Sequence, residues 1–235
     1  MYKVNIAGLP IDCFKSMEQI VNYIFEDGKG KTAVAINPEK ILASLEDINV
    51  RNAILDSDIR YLDGIGAVKL AESKSNMKLV RIPGCELWER LMEVAGSRQA
   101  SVFLLGSSLD VVVETKKKLE SQYNVNVVGF NDGYFKDDTL IIKKLLLLQP
   151  DIITVAMGSP RQELFMKLCR DAGVNSFMMG VGGTYNVFVG SVRRAPKVFC
   201  DLHLEWFYRL ISEPSRIFRQ LRLLKFVKLA ILRKL

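Results

Sequence analysis

Short apolar, β-branched runs alternate along this 235-residue chain with segments of helical periodicity. That alternation constrains the fold most, because strands joined by helical crossovers pair in parallel and need helices on both faces. The runs Tyr2–Ile6, Thr32–Ile36, Ile59–Leu62, Ser101–Leu105, Val125–Val128, Ile152–Ala156 and Ser176–Met179 read as strands. Ser16 with Gln19 reads as a capping box. Asn37-Pro38 reads as an N-cap followed by Pro at the first helical position. Leu109–Tyr123, Asp138–Leu148 and Gln162–Ala172 carry helical periodicity. The expectation is an α/β fold over residues 1–195, a Rossmann-like, mostly parallel sheet flanked by helices. A C-terminal helical appendage is expected over 196–235.

The polar and glycine-rich clusters follow the ends of these strands. Asn37 follows the second run, Asp63-Gly64-Ile65-Gly66 the third, and Gly106-Ser107-Ser108 the fourth. Gly158-Ser159-Pro160-Arg161-Gln162-Glu163 and Gly180-Val181-Gly182-Gly183-Thr184 follow the last two. Open α/β sheets bind ligands outside the carboxyl ends of their strands, so five clusters there define a candidate pocket. Asp63 suits a general base, partly desolvated beside a ligand, or equally a cap for the next helix. Gly158–Glu163 opens a helix whose first N–H groups, with Arg161, could hold a phosphate; the alternative is a tight turn. Neither Gly64–Gly66 nor Gly180–Gly183 completes Gly-x-Gly-x-x-Gly, and no Walker sequence is present, which disfavours a nicotinamide or ATP enzyme. Asp56-Ser57-Asp58 has the Asp-x-Asp form that holds a divalent ion, but it precedes a strand, so a solvated turn is expected and no metal. Arg193-Arg194-Ala195-Pro196 reads either as a phosphate clamp or as a solvated linker.

Charge is distributed unevenly. Val192 to Leu235 holds eleven Lys/Arg against three acids, a balance of +8, and leaves −1 for the rest of the chain. A near-neutral body with a cationic, apolar tail points to an anionic ligand or surface. The bases at Arg216, Arg219, Arg222, Lys225 and Lys228 recur every third residue, so the stripe winds around a helix and leaves no clean two-faced pattern. The expected partition is an arginine cluster followed by an interfacial segment whose lysines reach headgroups. The tail's Leu and Ile content, with no nucleic-acid motif, argues against nucleic acid. The four cysteines, Cys13, Cys85, Cys169 and Cys200, form no Cys-x-x-Cys pair and read as buried thiols of a reducing compartment. The one histidine, His203, argues against His-based metal sites and a Ser-His-Asp triad. No signal peptide and no membrane-spanning run is expected.

A family likeness rests on ordered blocks. These are Ala35-Ile36-Asn37-Pro38-Glu39-Lys40, Asp63-Gly64-Ile65-Gly66, Asp132-Gly133-Tyr134-Phe135, Val155-Ala156-Met157-Gly158-Ser159-Pro160-Arg161-Gln162-Glu163, Gly180-Val181-Gly182-Gly183-Thr184-Tyr185, Arg194-Ala195-Pro196-Lys197 and Leu204-Glu205-Trp206-Phe207-Tyr208-Arg209-Leu210. In this order they resemble the WecG/TagA/CpsF glycosyltransferases (family 26) over nearly the whole chain, and most closely the WecG branch. The resemblance implies a metal-independent, inverting transfer with no cofactor. A sugar, N-acetyl-D-mannosaminuronic acid in the WecG branch, passes from UDP to undecaprenyl-diphosphate-linked GlcNAc. The acceptor lies in the cytoplasmic membrane leaflet, so the protein is expected to be cytoplasmic and peripheral; homo-oligomerisation is left open.

The resemblance makes Asp63 the base and puts Asn37, Arg81 and Gln162 in the pocket. Gly106, Arg161, Glu163, Gly182, Gly183, Asn186 and Arg193 join them as candidate substrate-binding residues. Arg209, Arg216 and Arg219 are implied to meet a diphosphate from a C-terminal appendage. Two positions depart from relatives: Ala35 where the mannosaminyl branch commonly has Thr, and Asn186 where many relatives have Asp. Both bear on which donor is used. Outside the class, the competing expectations are a nucleotide-binding oxidoreductase and a non-catalytic membrane-binding module.

Overall fold

The structure is a computed structural model that describes residues 2–192, 196, 199, 217–232 and 234–235. In chain order the elements are β1 (Tyr2–Ile6), β2 (Leu9–Cys13), α1 (Met17–Asp27), β3 (Thr32–Ile36), α2 (Pro38–Glu46), α3 (Ile48–Leu55), β4 (Ile59–Leu62), α4 (Ile65–Ser75) and α5 (Gly84–Ser97). There follow β5 (Ser101–Gly106), α6 (Leu109–Tyr123), β6 (Asn126–Asn131), α7 (Asp138–Leu148), β7 (Ile152–Ala156), α8 (Arg161–Asp171), β8 (Phe177–Gly180), α9 (Thr184–Phe188) and, as numbered here, α10 (Ile217–Ile231).

The strands form one eight-stranded sheet in the order β1-β2-β4-β3-β8-β7-β5-β6. Among the described residues, β1 and β2 pair antiparallel and the other pairings are parallel. The expected α/β sheet with flanking helices is therefore what forms. The one strand the sequence hides is β2, whose Pro10 interrupts an otherwise readable run. Ala7 and Gly8 close the β1–β2 hairpin with φ of 54° and 80°, the left-handed pair that a two-residue turn requires.

Helix starts follow local chemistry. Ser16 accepts from the Gln19 N–H at 3.1 Å, and the Gln19 side chain reaches back to the Lys15 N–H at 2.6 Å. Asn37 caps α2 by accepting from the Lys40 N–H at 2.9 Å, with Pro38 at the first helical position.

Two apolar cores cover the sheet. One gathers Ile41 and Leu42 of α2, Ile54 of α3, Val68 of α4, Leu145 of α7, Phe165 and Met166 of α8, and Phe226 of α10. The other gathers Ile20 of α1, Trp88 and Leu91 of α5, Val112 of α6 and Tyr185 of α9. The crossovers after β5 and β7 thus lie on opposite faces, and this opens a crevice above the carboxyl ends of those two strands.

The α10 helix lies on α2 and buries Phe226, while Arg222 and Lys225 share the carboxylate of Glu46. Lys225, expected at a membrane surface, is instead committed to this acid. The opposite face of α10 bears exposed apolar side chains: Leu224 is 67% exposed, Val227 50% and Ile231 75%, with Leu232, just beyond the helix, at 51%. Phe226→Ala is expected to lower the unfolding free energy by about 3 kcal/mol through the cavity it leaves. Urea denaturation checks this as a lower midpoint with an unchanged slope.

Candidate active site

The turns after β4, β3, β8, β7 and β5 bring the sequence-predicted residues to one edge of the sheet. Backbone freedom at glycine makes this edge open. A Cβ on Gly158, Gly182 or Gly183 would meet no atom within 4 Å, so the backbone there borders empty space. Gly158 and Gly182 take φ of 76° and 52°. Gly106 is different in kind: at φ 112° its Cβ would run into the Ala156 carbonyl. It fixes the close approach of the β5 and β7 ends and offers no contact surface of its own.

Asp63 stands one residue beyond β4, its N–H donating to the Ile36 carbonyl at 2.9 Å. It does not cap the next helix, because Gly64 holds the N-cap of α4 and no side chain bonds there. Its carboxylate turns instead toward two positive groups. Oδ1 lies 3.7 Å from Arg81 Nε, and Oδ2 lies 3.5 Å from the N–H of Gly84, the first residue of α5. The start of α5 and the Arg81 guanidinium place positive charge beside the carboxylate. The Asp63 side chain is 25% exposed and that of Arg81 15%, so the carboxylate is partly desolvated yet reachable.

A second set of polar groups lies underneath. Lys40 Nζ meets Glu163 Oε1 at 2.6 Å, with side chains 10% and 1% exposed. Gln162 donates to the same Oε1 at 3.0 Å and accepts from the Gly182 N–H at 3.1 Å. Gln162 and Glu163, expected in the pocket wall, are buried and support the β8 loop from below. Lys40 was not singled out in the sequence. Its one signal there is its place in the first turn of a capped helix, which does not reveal a partner in α8.

Arg161 is also occupied: its guanidinium donates to the Gly133 carbonyl at 2.7 Å and the Phe135 carbonyl at 3.3 Å, and lies over the Phe135 ring. It ties down the β6–α7 loop. Asn186 donates to Ser107 Oγ at 3.3 Å, an uncharged bridge between α9 and the β5 turn. Arg193, Arg209 and Arg216 lie outside the described residues, as do Cys200 and His203; Arg219 falls within α10 with its side chain outside the description.

Asp56 and Asp58 sit before β4, at the far edge of the sheet, facing Lys167 at 3.7 Å and Arg170 at 3.0 Å. Among the described residues no three His, Cys, Asp or Glu side chains gather around a common point for a metal. A groove of about 510 Å³ also lies at that far edge, lined by Phe25, Arg98, Asp151 and Asn175, away from the groups above. Burial pushes the thiols of Cys13 and Cys169 up, to about 11 and about 12, and keeps them protonated. Cys85 is half-buried in the first turn of α5, where the Thr184 hydroxyl donates to its sulfur at 3.5 Å.

An open parallel sheet with a reachable carboxylate, arginine and glycine turns at its carboxyl edge defines a ligand-binding α/β enzyme. Residues 4–235 match the family described as "Glycosyl transferase WecG/TagA/CpsF family", and the chain belongs to that family. It is a transferase of glycosyl groups. Among the described residues no helix is long and apolar enough to cross a membrane.

Two outcomes follow from the geometry. Lys40→Met strands a buried carboxylate and is expected to cost about 3–5 kcal/mol of stability, most of it recovered in the Lys40→Met/Glu163→Leu double variant. A urea-denaturation cycle of the wild type, the two single variants Lys40→Met and Glu163→Leu, and the double variant measures this coupling. In the native protein a thiol reagent is expected to modify Cys85 well before Cys13 or Cys169, as read by peptide mass spectrometry.

Proposed function

We propose that the chain transfers N-acetyl-D-mannosaminuronic acid from UDP to undecaprenyl-diphosphate-linked GlcNAc, with inversion and without a metal. The observation that carries this reading is Asp63, held beside Arg81 and the start of α5 at an otherwise open edge. In the proposed step the acceptor hydroxyl gives its proton to the Asp63 carboxylate while its oxygen attacks the anomeric carbon. The bond from that carbon to the UDP oxygen breaks, and UDP leaves with the electron pair. A single displacement of this kind inverts the anomeric centre. Charge growing on the leaving diphosphate is met by guanidinium groups, for which Arg81 and the C-terminal Arg193, Arg209, Arg216 and Arg219 are the candidates.

The lipid-linked acceptor calls for an interfacial enzyme. Support comes from α10, whose exposed face carries Leu224, Val227 and Ile231 around Lys228, followed by exposed Leu232. An apolar strip with a snorkelling lysine fits the headgroup boundary of an anionic leaflet. The competing reading keeps the reaction and changes the donor to neutral UDP-N-acetylmannosamine. Ala35 and the uncharged bridge from Asn186 to Ser107 are the positions that bear on that choice.

With purified enzyme and lipid acceptor, product is expected from the uronic acid donor and not from neutral donors; product from neutral donors alone rejects the donor assignment. Asp63→Asn is expected to lower kcat by about 10²–10⁴-fold. EDTA is expected to leave the rate unchanged. The double variant Val227→Ser/Ile231→Ser is expected to stay folded and lose sedimentation with anionic vesicles; undiminished sedimentation rejects the role of α10.

A further inference from the structure

Tyr61 is fully buried in β4, and its hydroxyl has no hydrogen-bond partner. Such a group is unusual, because an unmatched buried hydroxyl destabilises a fold and Phe would fill the same space without one. The surroundings of that hydroxyl are informative. A Cβ placed on Gly84 would lie 3.2 Å from Tyr61 Oη, 3.6 Å from Asp63 Oδ2 and 3.9 Å from the Ala35 methyl. Tyr61 and Ala35 are register partners on β4 and β3. The phenol, the carboxylate and the bare Cα of Gly84 therefore surround one small space, which exists because residues 84 and 35 are small.

The charge environment singles out Asp63 as the acceptor for this phenol. Burial first, then the Asp63 charge and then Cys85, raise the phenol's ionisation well above its ordinary value, so it stays a neutral donor. Among the described residues, the groups near the pair include Arg81, 3.7 Å from Asp63 Oδ1, and Cys85 and Glu86 in the first turn of α5; β3 contributes Ala35. The Gly84 N–H reaches Oδ2 at 3.5 Å, the long end of hydrogen-bond range.

We infer that Tyr61 is a positioning residue for Asp63: when acceptor binds, a turn of the carboxylate closes a Tyr61 O–H···Oδ2 bond and aims the other oxygen at the acceptor hydroxyl. This rests on the reading of Asp63 as the base. Gly84 keeps the gap between the two groups open, and Ala35 keeps competing donors out of it.

The test is Tyr61→Phe, which removes one oxygen and keeps the ring. Its melting temperature is expected to equal or exceed that of the wild type. With UDP-N-acetyl-D-mannosaminuronic acid and lipid-linked GlcNAc, kcat is expected to fall about tenfold with little change in KM. The acid limb of kcat/KM is expected to move to higher pH by about half a unit, because a donor to the ionised carboxylate has been removed. The same displacement is expected, without turnover, in the carbon-13 titration of the Asp63 carboxyl, assigned by its loss in Asp63→Asn. An unmoved titration, a move to lower pH, or a fall in melting temperature accompanied by unchanged titration overturns the inference. If Asp63→Asn retains full transfer, the base reading falls and the role of Tyr61 falls with it. If Asp63→Asn is inactive while Tyr61→Phe matches the wild type, only the role of Tyr61 falls.

Discussion

Lys40 and Glu163 are 123 positions apart in the chain and meet at 2.6 Å inside it. Their contact joins the first turn of α2 to the first turn of α8, across the middle of the sheet. Through Gln162 it extends to the Gly182 N–H, and through the Asn37 cap to the turn beside Asp63. A buried pair of this kind adds little net stability over apolar side chains of similar size. What it does supply is geometry. It fixes how the β3, β7 and β8 turns sit relative to one another, so the glycine backbones above it border a defined space. The remaining oxygen of Glu163, Oε2, is buried without a partner, which fits a carboxylate held by its place in the fold.

The arrangement explains why the fold was legible in the sequence and the site only partly so. Strands announced themselves through β-branched runs, and the starts of α1 and α2 through Ser16 and Asn37, because these signals are local. Pro10 hid β2 for the same reason: a local rule demotes the run, and only its position next to the sheet edge rescues it. Glycines after the strands gather at the carboxyl edge of the sheet, where Gly158, Gly182 and Gly183 border open space. Side-chain roles were another matter. Arg161 reads as a phosphate ligand from its place at a helix start, and the sequence does not reveal that its guanidinium also donates to the Gly133 and Phe135 carbonyls. Whether Asp63 caps α4 or faces elsewhere was open in the sequence, since its neighbours Arg81 and Gly84 come from a later loop and helix. Lys40 carried no signal because its partner lies in α8.

The C-terminal segment shows the same limit in charge. A base at every third position describes a winding stripe, and the sequence divides it between a diphosphate and a membrane. The structure adds an acid that the pattern could not reveal: Glu46 of α2 takes both Arg222 and Lys225. With those exposed bases drawn to Glu46, the side of α10 away from α2 carries Leu224, Val227 and Ile231. An apolar face thus emerges from a helix whose sequence looked mixed all round, because packing sorted the charges.

That helix is also close to the chemistry. A Cβ on Gly66 would stand 3.0 Å from Pro38 and 3.5 Å from the Phe226 ring. The turn carrying Asp63, the capped start of α2 and α10 therefore meet at one tightly packed point around residue 66. Enlarging that residue would have to displace Pro38, and with it the Asn37 cap, or else Phe226, and with it the seat of α10. Close packing of this sort transmits a displacement with little loss, since there is no free volume to absorb it. The face that α10 presents outward and the carboxylate at the pocket edge are thus separated by two packed contacts, Phe226 on Gly66 and Gly64 on Asn37, the latter with 3.4 Å between the Asn37 Cβ and the Cβ position of Gly64.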